Sequence, residues 1–322
     1  MYSLIIPVYG NELTLPALLN QLETLCRDLD GDLEVVFVVD GSPDDSRAIL
    51  GMLLPEKAFR SQLVELSRNF GSFAAIRAGL NVARGPYCAI LSADLQEPIS
   101  LVREFFRLLR FEDVDIVVGQ RTSRADPLLS RAASRWFWAF YRRFVHPEIP
   151  SGGVDVFGCS DQVRKLLVTM SEAKSSLIGL LFWAGFRRRL VPYTRAARGA
   201  GRSGWTLRRK LSYMGDSVFA FSDLPIKVIA WLGILGTALS MGVAIIVLTT
   251  WLLAGVVVPG YTPIMLALSG ALSILLLAIG VLGSYVWRIF ENTKQRPLSI
   301  IRSIDNFGPE PTPPPGMKQE RP

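Results

Sequence analysis

The stretch Tyr87-Cys88-Ala89-Ile90-Leu91-Ser92-Ala93-Asp94-Leu95-Gln96-Glu97-Pro98 joins a short apolar run to a polar turn. An apolar run of this length, bounded by turn residues, is typical of a buried strand. On a segment that stays extended beyond the strand, Asp94 and Gln96 point to the same side and can share one hard divalent cation. The stretch therefore predicts a site for a metal ion and a diphosphate at the end of a strand. A solvated turn that contains an aspartate is the alternative, and these residues alone leave both open.

The same succession of strand, polar turn and helix recurs in the first part of the chain. Such alternation predicts an α/β fold with a Rossmann-like, mostly parallel sheet and helices on both faces. Ligands of these sheets bind beyond the carboxyl ends of the strands, where the polar segments 9–12, 40–46, 67–71, 92–97 and 119–121 fall. The predicted strands are Ser3–Val8, Asp32–Val39, Leu63–Leu66, Tyr87–Leu91 and Asp115–Val118, and the predicted helices are one with leucines at 15, 18, 22, 25 and 29, then Gly71–Ala83 and Ile99–Leu109.

The second part of the chain is strongly apolar. Half of the 322 residues are hydrophobic, the mean hydropathy is +0.31, and the apolar excess follows Pro225. Ile226–Trp251 and Pro263–Trp287 each run for about 25 residues, enough to cross a hydrocarbon core of about 30 Å. We expect two transmembrane helices, because two buried core helices of this length would show a polar stripe. Leu252–Thr262 has no Lys or Arg, whereas basic residues flank the pair, which predicts that both ends are cytoplasmic.

Several classes of protein are disfavoured by what the sequence lacks. There is no G-x-G-x-x-G after the first strand and no G-x-x-x-x-G-K-[ST], which argues against an NAD-type site and a P-loop nucleotidase. The net charge of +7 comes from basic residues beside apolar and aromatic segments, which favours lipid headgroups over nucleic acid. Cys26, Cys88 and Cys159 form no zinc spacing and suit a reducing compartment. Met1–Pro7 shows no cleavable signal peptide.

Five short segments carry a family resemblance, which covers roughly residues 1–302. The chain resembles the family 2, GT-A fold glycosyltransferases, and among them the polyprenyl-phosphate sugar transferases similar to dolichol-phosphate mannose synthase and the bacterial GtrB and ArnC proteins. The segments are Ile6-Pro7-Val8-Tyr9-Gly10-Asn11-Glu12, Val39-Asp40-Gly41-Ser42-Pro43-Asp44-Asp45-Ser46, Leu66-Ser67-Arg68-Asn69-Phe70-Gly71, Ala93-Asp94-Leu95-Gln96-Glu97-Pro98 and Asn292-Thr293-Lys294-Gln295-Arg296-Pro297-Leu298.

The resemblance implies a role for individual residues. It implies a nucleotide-sugar site formed by Pro7, Tyr9, Glu12, Asp40, Ser42, Arg68, Gly71 and Asp94, and Mg²⁺ or Mn²⁺ on Asp94 and Gln96. It also implies a catalytic role for Asp94 and Asp155 and lipid-phosphate binding by Arg121, Arg131 and Arg135. Separately, Arg198, Arg202 and Ser203 lie in a Gly-rich segment that predicts a mobile loop closing over the diphosphate, and a basic loop against lipid headgroups is the alternative. Capping and turn chemistry remain the alternative for Glu12, Asp40 and Asp155.

By the resemblance, Asp155 matches the acidic residue that is usually assigned as the catalytic base in this family. A phosphate monoester with a second pKa of about 6 is already largely a dianion at neutral pH and needs little deprotonation. Asp155 can instead position the attacking oxygen or the sugar, or stabilise oxocarbenium-like charge.

The expected function is inverting transfer of a sugar from a nucleotide-diphosphate sugar to a polyprenyl phosphate, on the cytoplasmic face of the inner membrane. The alternative is a catalytically impaired relative that acts as a nucleotide- or lipid-binding scaffold, because Ser92, Ser72, Phe157 and Gly204 depart from the family pattern. We expect a homo-oligomer by the resemblance. The predicted organisation is a catalytic domain (1–200), interfacial helices (201–225), a two-helix transmembrane anchor (226–290) and a partly disordered cytoplasmic tail (291–322).

Overall fold

The structure, a computed structural model, describes residues 1–121, 139, 142–143, 148–150, 154–170, 172, 176–196, 215–222, 224–254 and 261–308. Within these residues, eight strands form one mixed sheet. The strands are β1 (Tyr2–Val8), β2 (Leu33–Val39), β3 (Arg60–Leu66), β4 (Tyr87–Ile90), β5 (Ile116–Arg121), β6 (Phe157–Ser160), β7 (Arg188–Tyr193) and β8 (Ile301–Phe307). The helices are α1 (Leu15–Asp28), α2 (Ser46–Leu53), α3 (Ser72–Val82), α4 (Ile99–Phe111), α5 (Asp161–Thr169), α6 (Leu177–Trp183), α7 (Gly215–Phe221), α8 (Leu224–Ala254) and α9 (Tyr261–Thr293).

The strands are arranged in the order β7-β5-β6-β4-β1-β2-β3-β8. β1 is parallel to β2 and β4, β2 to β3, and β5 to β7. β6 is antiparallel to β4 and to β5, so these two strands run in the same direction, and β8 is antiparallel to β3. Six strands therefore end at one edge of the sheet, which we call the carboxyl edge, and β6 and β8 begin there.

The sheet is buried between two apolar layers because alternate residues of its central strands face opposite sides. In β1, Leu4 and Ile6 belong to the layer that contains α1 and α4, whereas Ile5 belongs to the layer formed with α3, α5 and α6. Every residue of β2 is buried. Burial on both faces explains why the central strands appear in the sequence as continuous apolar runs.

The predicted α/β class is confirmed, with a mixed sheet. The five predicted strands correspond to β1–β5 within a few residues, and β6, β7 and β8 are additional. β8 lies in the segment 291–322, which was predicted as a tail, so the sheet takes its last strand from outside the range 1–200. Arg47 Nη2 lies 2.6 Å from Asp305 Oδ2, and the Ser67 amide donates to the Ile300 carbonyl at 2.9 Å, which fixes β8 beside β3.

The apolar helices follow the globular part. Among the described residues, Gly270–Thr293 within α9 is long and apolar enough to cross a membrane, and none of it is buried inside the protein. A second candidate exists only if α7 and the first part of α8, which meet at 82°, are counted as one bent span. α7 is attached to α9 by an ion pair of 2.8 Å between Asp216 and Arg288, and the Arg288 guanidinium lies 5.2 Å from the ring centre of Phe219.

Candidate active site

The polar segments predicted at the ends of the strands lie together at the carboxyl edge. The residues after β1, β2, β3 and β4 come to this edge because these strands are parallel. Asp155 comes to the same edge by the opposite route, because it lies just before β6, which runs antiparallel to its neighbours. Tyr193 ends β7 beside Arg121, which ends β5.

Asp40 organises the loop between β3 and α3. Its carboxylate is buried, with 3 % of the residue exposed, and accepts backbone hydrogen bonds from Phe70 at 2.7 Å and Gly71 at 2.8 Å. The Asn69 side-chain amide donates to the Asp40 carbonyl at 3.2 Å. The turn chemistry considered as an alternative for Asp40 is therefore present, and it shapes the same loop that was predicted to hold the nucleotide.

Gly41 lets the loops after β2 and β3 approach each other closely. A Cβ atom at Gly41 would lie 2.5 Å from the backbone nitrogen of Asn69 and 2.6 Å from the carbonyl carbon of Arg68. The φ of +56° at Gly41 is also a left-handed conformation that favours glycine. Only a residue without a side chain fits between these loops without moving them.

Glu12 connects the loop after β1 to the start of α2. The Glu12 amide donates to Asp44 Oδ2 at 3.0 Å, while Glu12 Oε2 accepts from the Asp45 amide at 3.1 Å. Partial burial opposes the charged form of Asp44, but hydrogen bonds from Ser42, Glu12 and Ser46 outweigh burial and lower the pKa of Asp44. The Ser42 hydroxyl also accepts from the Gly10 amide at 2.8 Å.

Tyr9 and Arg68 supply exposed surface next to these loops. The Tyr9 residue is 53 % exposed, and the Arg68 guanidinium lies 4.0 Å from the ring centre of Phe70. Pro7 is half-buried near the end of β1, and Gly71 precedes α3 with a φ of +97°. The structure thus brings every residue predicted for the nucleotide site to one edge, and its role there remains a prediction.

The turn after β4 does not have the geometry on which the metal prediction rested. The prediction assumed an extended segment, and this is wrong: residues 93–95 form a turn, and Leu95 has a φ of +59°. The Gln96 amide points back to Asp94 Oδ1 at 3.4 Å. Asp94 is half-buried at the edge, while Gln96 is buried.

Gln96 is held by the segment that follows β7. Its Oε1 accepts a hydrogen bond of 2.6 Å from Arg195, and its Nε2 donates to the Ala196 carbonyl at 3.2 Å. The Gln96 backbone carbonyl in turn accepts from the Ala196 amide at 2.9 Å. The amide oxygen that was predicted to bind a metal ion is therefore bonded to a guanidinium in this structure.

Glu97 is a site residue that the sequence reasoning missed. Its side chain is completely buried, and Oε1 lies 3.4 Å from Arg195 Nε. Burial raises the pKa of Glu97 to about 7; Arg195 opposes this shift, and the nearby charges of Asp94 and Asp155 add to it. A carboxyl group directly after Gln96 was visible in the sequence, but nothing in its local pattern indicated that it points inward.

Asp155 is the centre of a second group of polar contacts. Arg121 Nη2 donates to Asp155 Oδ1 at 2.9 Å, and Arg121 Nε lies 2.7 Å from Oδ2. The Tyr193 hydroxyl donates to Oδ2 at 3.1 Å, and Arg195 Nη1 lies 3.6 Å from the same oxygen. The desolvation of the Tyr193 phenol and the neighbouring carboxylates raise the pKa of Tyr193, so it acts as a donor. The guanidinium of Arg121, predicted to bind the lipid phosphate, is thus paired with Asp155.

Five residues predicted for the lipid-phosphate site and the mobile loop lie outside the described residues. They are Arg131, Arg135, Arg198, Arg202 and Ser203. Among the described residues, no group of three or more His, Cys, Asp or Glu side chains could hold a metal ion. Asp94 fits the usual arrangement for Mg²⁺, in which one or two carboxylates act together with the phosphates of the substrate. Gln96 does not fit while Arg195 occupies its oxygen.

Comparison with known proteins gives the family. The family described as Glycosyl transferase family 2 matches residues 3–165. A putative glycosyltransferase of Bacillus subtilis, CsbB, is 30 % identical over 305 residues, which are 95 % of this chain and 92 % of that protein. The bactoprenol glucosyl transferase of Shigella phage SfV is 28 % identical over 94 % of this chain and 98 % of that protein.

A further relative and a solved structure are also similar to this chain. The prophage bactoprenol glucosyl transferase homolog of Escherichia coli is 27 % identical over 94 % of this chain and 98 % of that protein. Among solved structures, glucosyl-3-phosphoglycerate synthase of Mycobacterium tuberculosis, in complex with Mn²⁺, UDP-glucose and phosphoglyceric acid, aligns with 68 % of this chain and 77 % of that chain, at a TM-score of 0.45 and 21 % identity. From the family match and the CsbB relative, the chain belongs to glycosyltransferase family 2 and is a glycosyltransferase.

Proposed function

We propose that this glycosyltransferase moves a sugar from a nucleotide-diphosphate sugar to a polyprenyl phosphate at the cytoplasmic face of the membrane. The observation that carries the proposal is the position of Asp155, held by Arg121 and Tyr193 at the same edge of the sheet as the loops that surround Asp40. The acceptor class is supported by relatives named bactoprenol glucosyl transferases, which match along 94 % or more of this chain and so include its apolar helices.

The loops around Asp40 would bind the nucleotide. Asp40 fixes the backbone of Phe70 and Gly71, and Gly41 keeps this loop close to the end of β2, which gives a preformed shape. Tyr9 offers an exposed ring near the same edge for contact with a base. Preformed binding loops reduce the entropy lost when a ligand binds.

Asp94 would hold the divalent cation together with the donor's own phosphates. When bound, such a cation neutralises the leaving diphosphate. Asp94 lies in the same turn as Gln96, whose amide donates to Asp94 Oδ1 at 3.4 Å and whose side chain is bonded to Arg195, so these contacts hold the turn that carries Asp94. We expect either Mg²⁺ or Mn²⁺ to serve.

Asp155 would orient the reacting groups. Its two oxygens accept from Arg121 and Tyr193, so the carboxylate has one fixed orientation at the edge. A phosphate acceptor with a second pKa of about 6 brings its own negative charge at neutral pH, so positioning contributes more than proton removal. A guanidinium such as Arg121 forms bidentate hydrogen bonds with a phosphate as readily as with a carboxylate, which supports a contact with the lipid phosphate in the bound state.

The apolar helices would anchor the enzyme through two spans, with both chain ends in the cytoplasm. Gly270–Thr293 has 24 residues, which correspond to about 36 Å of helix against a hydrocarbon core of about 30 Å. The ion pair between Asp216 and Arg288 would place α7 at the cytoplasmic end of α9, close to the lipid headgroups. The homo-oligomer implied by the resemblance stays a prediction.

The test is transfer by the purified full-length chain in detergent with undecaprenyl phosphate and a panel of radiolabelled nucleotide sugars. Glucose donors come first because the relatives are named glucosyl transferases. We expect label in the extracted lipid, and loss of this label in Asp94→Asn. Asp28→Asn is the matched control, since Asp28 ends α1 at the opposite edge of the sheet and pairs with Arg103 in solvent at 3.3 Å.

Two results would contradict the proposal. Near-normal transfer by Asp94→Asn would exclude the assigned cation position. Nucleotide binding without labelled lipid for any donor would instead support the scaffold function.

A further inference from the structure

Arg195 contacts three side chains at the carboxyl edge that come from separate parts of the chain. Its Nη2 donates to Gln96 Oε1 at 2.6 Å, its Nε lies 3.4 Å from Glu97 Oε1, and its Nη1 lies 3.6 Å from Asp155 Oδ2. The Arg195 side chain is 25 % exposed, so it is not sealed inside the protein, although its Nε is buried. The three nitrogens of one guanidinium thus connect the turn after β4 with Asp155, which lies two residues before β6.

The surroundings of Arg195 are acidic. Two carboxyl groups, those of Glu97 at 3.4 Å and Asp155 at 3.6 Å, lie against this single guanidinium, and the Glu97 carboxyl is completely buried. A cluster of this kind attracts a cation, and the guanidinium supplies one positive charge with donors directed at a buried oxygen. Arg195 therefore has the place and the charge that a metal ion would otherwise have beside Gln96.

We propose that Arg195 and the divalent cation are alternative occupants of the acidic turn, defined as Asp94–Glu97, and that the cation binds there with Gln96 only when Arg195 moves away from Gln96 Oε1. Two positive charges cannot share one amide oxygen without strong repulsion at such a short distance. The inference rests on the proposed function for the divalent cation and for its position at Asp94.

The contacts of Gln96 give this exchange a structural consequence. Gln96 makes three hydrogen bonds to residues 195 and 196, two of them through its side chain. Release of Arg195 leaves the end of β7 with fewer contacts to the turn after β4, and it leaves Asp155 with Arg121 and Tyr193 as neighbours. Arrival of the cation is thereby coupled to the segment that follows Tyr193.

The test measures Mn²⁺ binding to the full-length protein in detergent, without nucleotide and without lipid, from the electron paramagnetic resonance signal of free Mn²⁺. The variants are Arg195→Gln, which removes the charge, and Arg195→Lys, which keeps the charge but loses the fork. Arg187→Gln is the control, because Arg187 lies directly before β7, at the opposite edge of the sheet, and pairs there with Asp115 at 3.0 Å.

We expect Arg195→Gln to bind Mn²⁺ more tightly than the wild type by at least about five-fold, the lower end of typical coupling between two sites. The Mn²⁺ affinity of Arg195→Lys should lie between those of the wild type and Arg195→Gln. The lysine variant therefore gives a result even if the glutamine variant does not fold. Arg187→Gln should bind like the wild type. Addition of Asp94→Asn to Arg195→Gln should remove the gain.

Equal or weaker Mn²⁺ binding by the Arg195 variants overturns the inference, and so does a gain that survives Asp94→Asn. Binding that is undetectable in both the wild type and the Arg195 variants overturns it as well. Because no sugar is transferred in this measurement, failure of the proposed function would appear in the lipid-labelling assay and not here.

Discussion

Replacement of Gly41 by alanine tests how closely the loops after β2 and β3 must approach. Gly10 provides a matched control, because it also follows a strand at the carboxyl edge and also has a positive φ, +68° against +56° for Gly41. No atom lies within 4 Å of a Cβ built at Gly10, whereas a Cβ at Gly41 meets backbone atoms at 2.5 and 2.6 Å. Both variants place alanine in a left-handed backbone conformation, but only in Gly41→Ala does the new Cβ collide with backbone atoms.

The expected magnitudes follow from these two terms. Alanine in a left-handed conformation costs roughly 1–2 kcal/mol, which applies to both variants. Forcing an extra methyl group against packed backbone adds about 1–3 kcal/mol for Gly41→Ala alone. At about 2–4 °C per kcal/mol for a domain of this size, Gly41→Ala should melt roughly 2–12 °C below Gly10→Ala.

The assay follows thermal unfolding of both purified variants and titrates each with the nucleotide diphosphate that the donor panel identifies. Gly41→Ala should also bind the nucleotide more weakly, because the loop that it displaces contains the Phe70 and Gly71 amides that bond to Asp40. Equal melting temperatures for Gly41→Ala and Gly10→Ala would refute the close approach. Unchanged nucleotide binding in a destabilised Gly41→Ala would refute the assignment of this loop to the donor.

Three further outcomes are expected. Asp155→Asn should lower sugar transfer by at least about 100-fold with nucleotide binding retained, measured by lipid labelling and titration, and a loss of less than ten-fold would remove Asp155 from the reaction. The pKa of Glu97 is about 7 in the folded protein against an ordinary 4.5, so the protonated carboxyl contributes stability below pH 4.5 that is lost as the pH rises through 7. The loss in the free energy of unfolding between pH 4.5 and 7 is of the order of 3 kcal/mol, and Glu97→Gln should abolish it. If the melting temperature of Glu97→Gln varies with pH as that of the wild type does, the assignment of this titration to Glu97 is wrong. Ending the chain after Ile300 removes β8 and should cause aggregation on size-exclusion chromatography, whereas ending it after Gly308 keeps β8 and should leave the protein monodisperse.

The central strands could be predicted because each is buried on both faces. β2 has no exposed residue, so its sequence is a continuous apolar run that a turn terminates. β7 and β8 are at the two ends of the sheet and carry exposed residues, including Arg189 and Arg302, so an apolar pattern is missing. β6 has four residues, too few for any periodicity to show.

The sequence predicts those site residues that directly follow the central strands. Asp40 and Asp94 follow predicted strands, so their position at one edge follows from parallel pairing. The contact between Gln96 and Arg195 joins residues 99 positions apart and exists only because β7 pairs with β5, which the sequence did not indicate. Glu97 follows a turn in which Leu95 has a left-handed backbone, a conformation that is uncommon for leucine and that no local pattern predicts.

The pairing of β8 with β3 also has a consequence for the order of events during synthesis. β3 leaves the ribosome early, but its partner follows only after both long helices, about 230 residues later. At about 5–20 residues per second, β3 waits roughly 10–50 s with an unprotected hydrogen-bonding edge. Folding of the sheet can therefore finish only after both long apolar helices of the nascent chain have been made. Any delay in making those helices prolongs the period in which the unfinished sheet can capture a strand from another molecule.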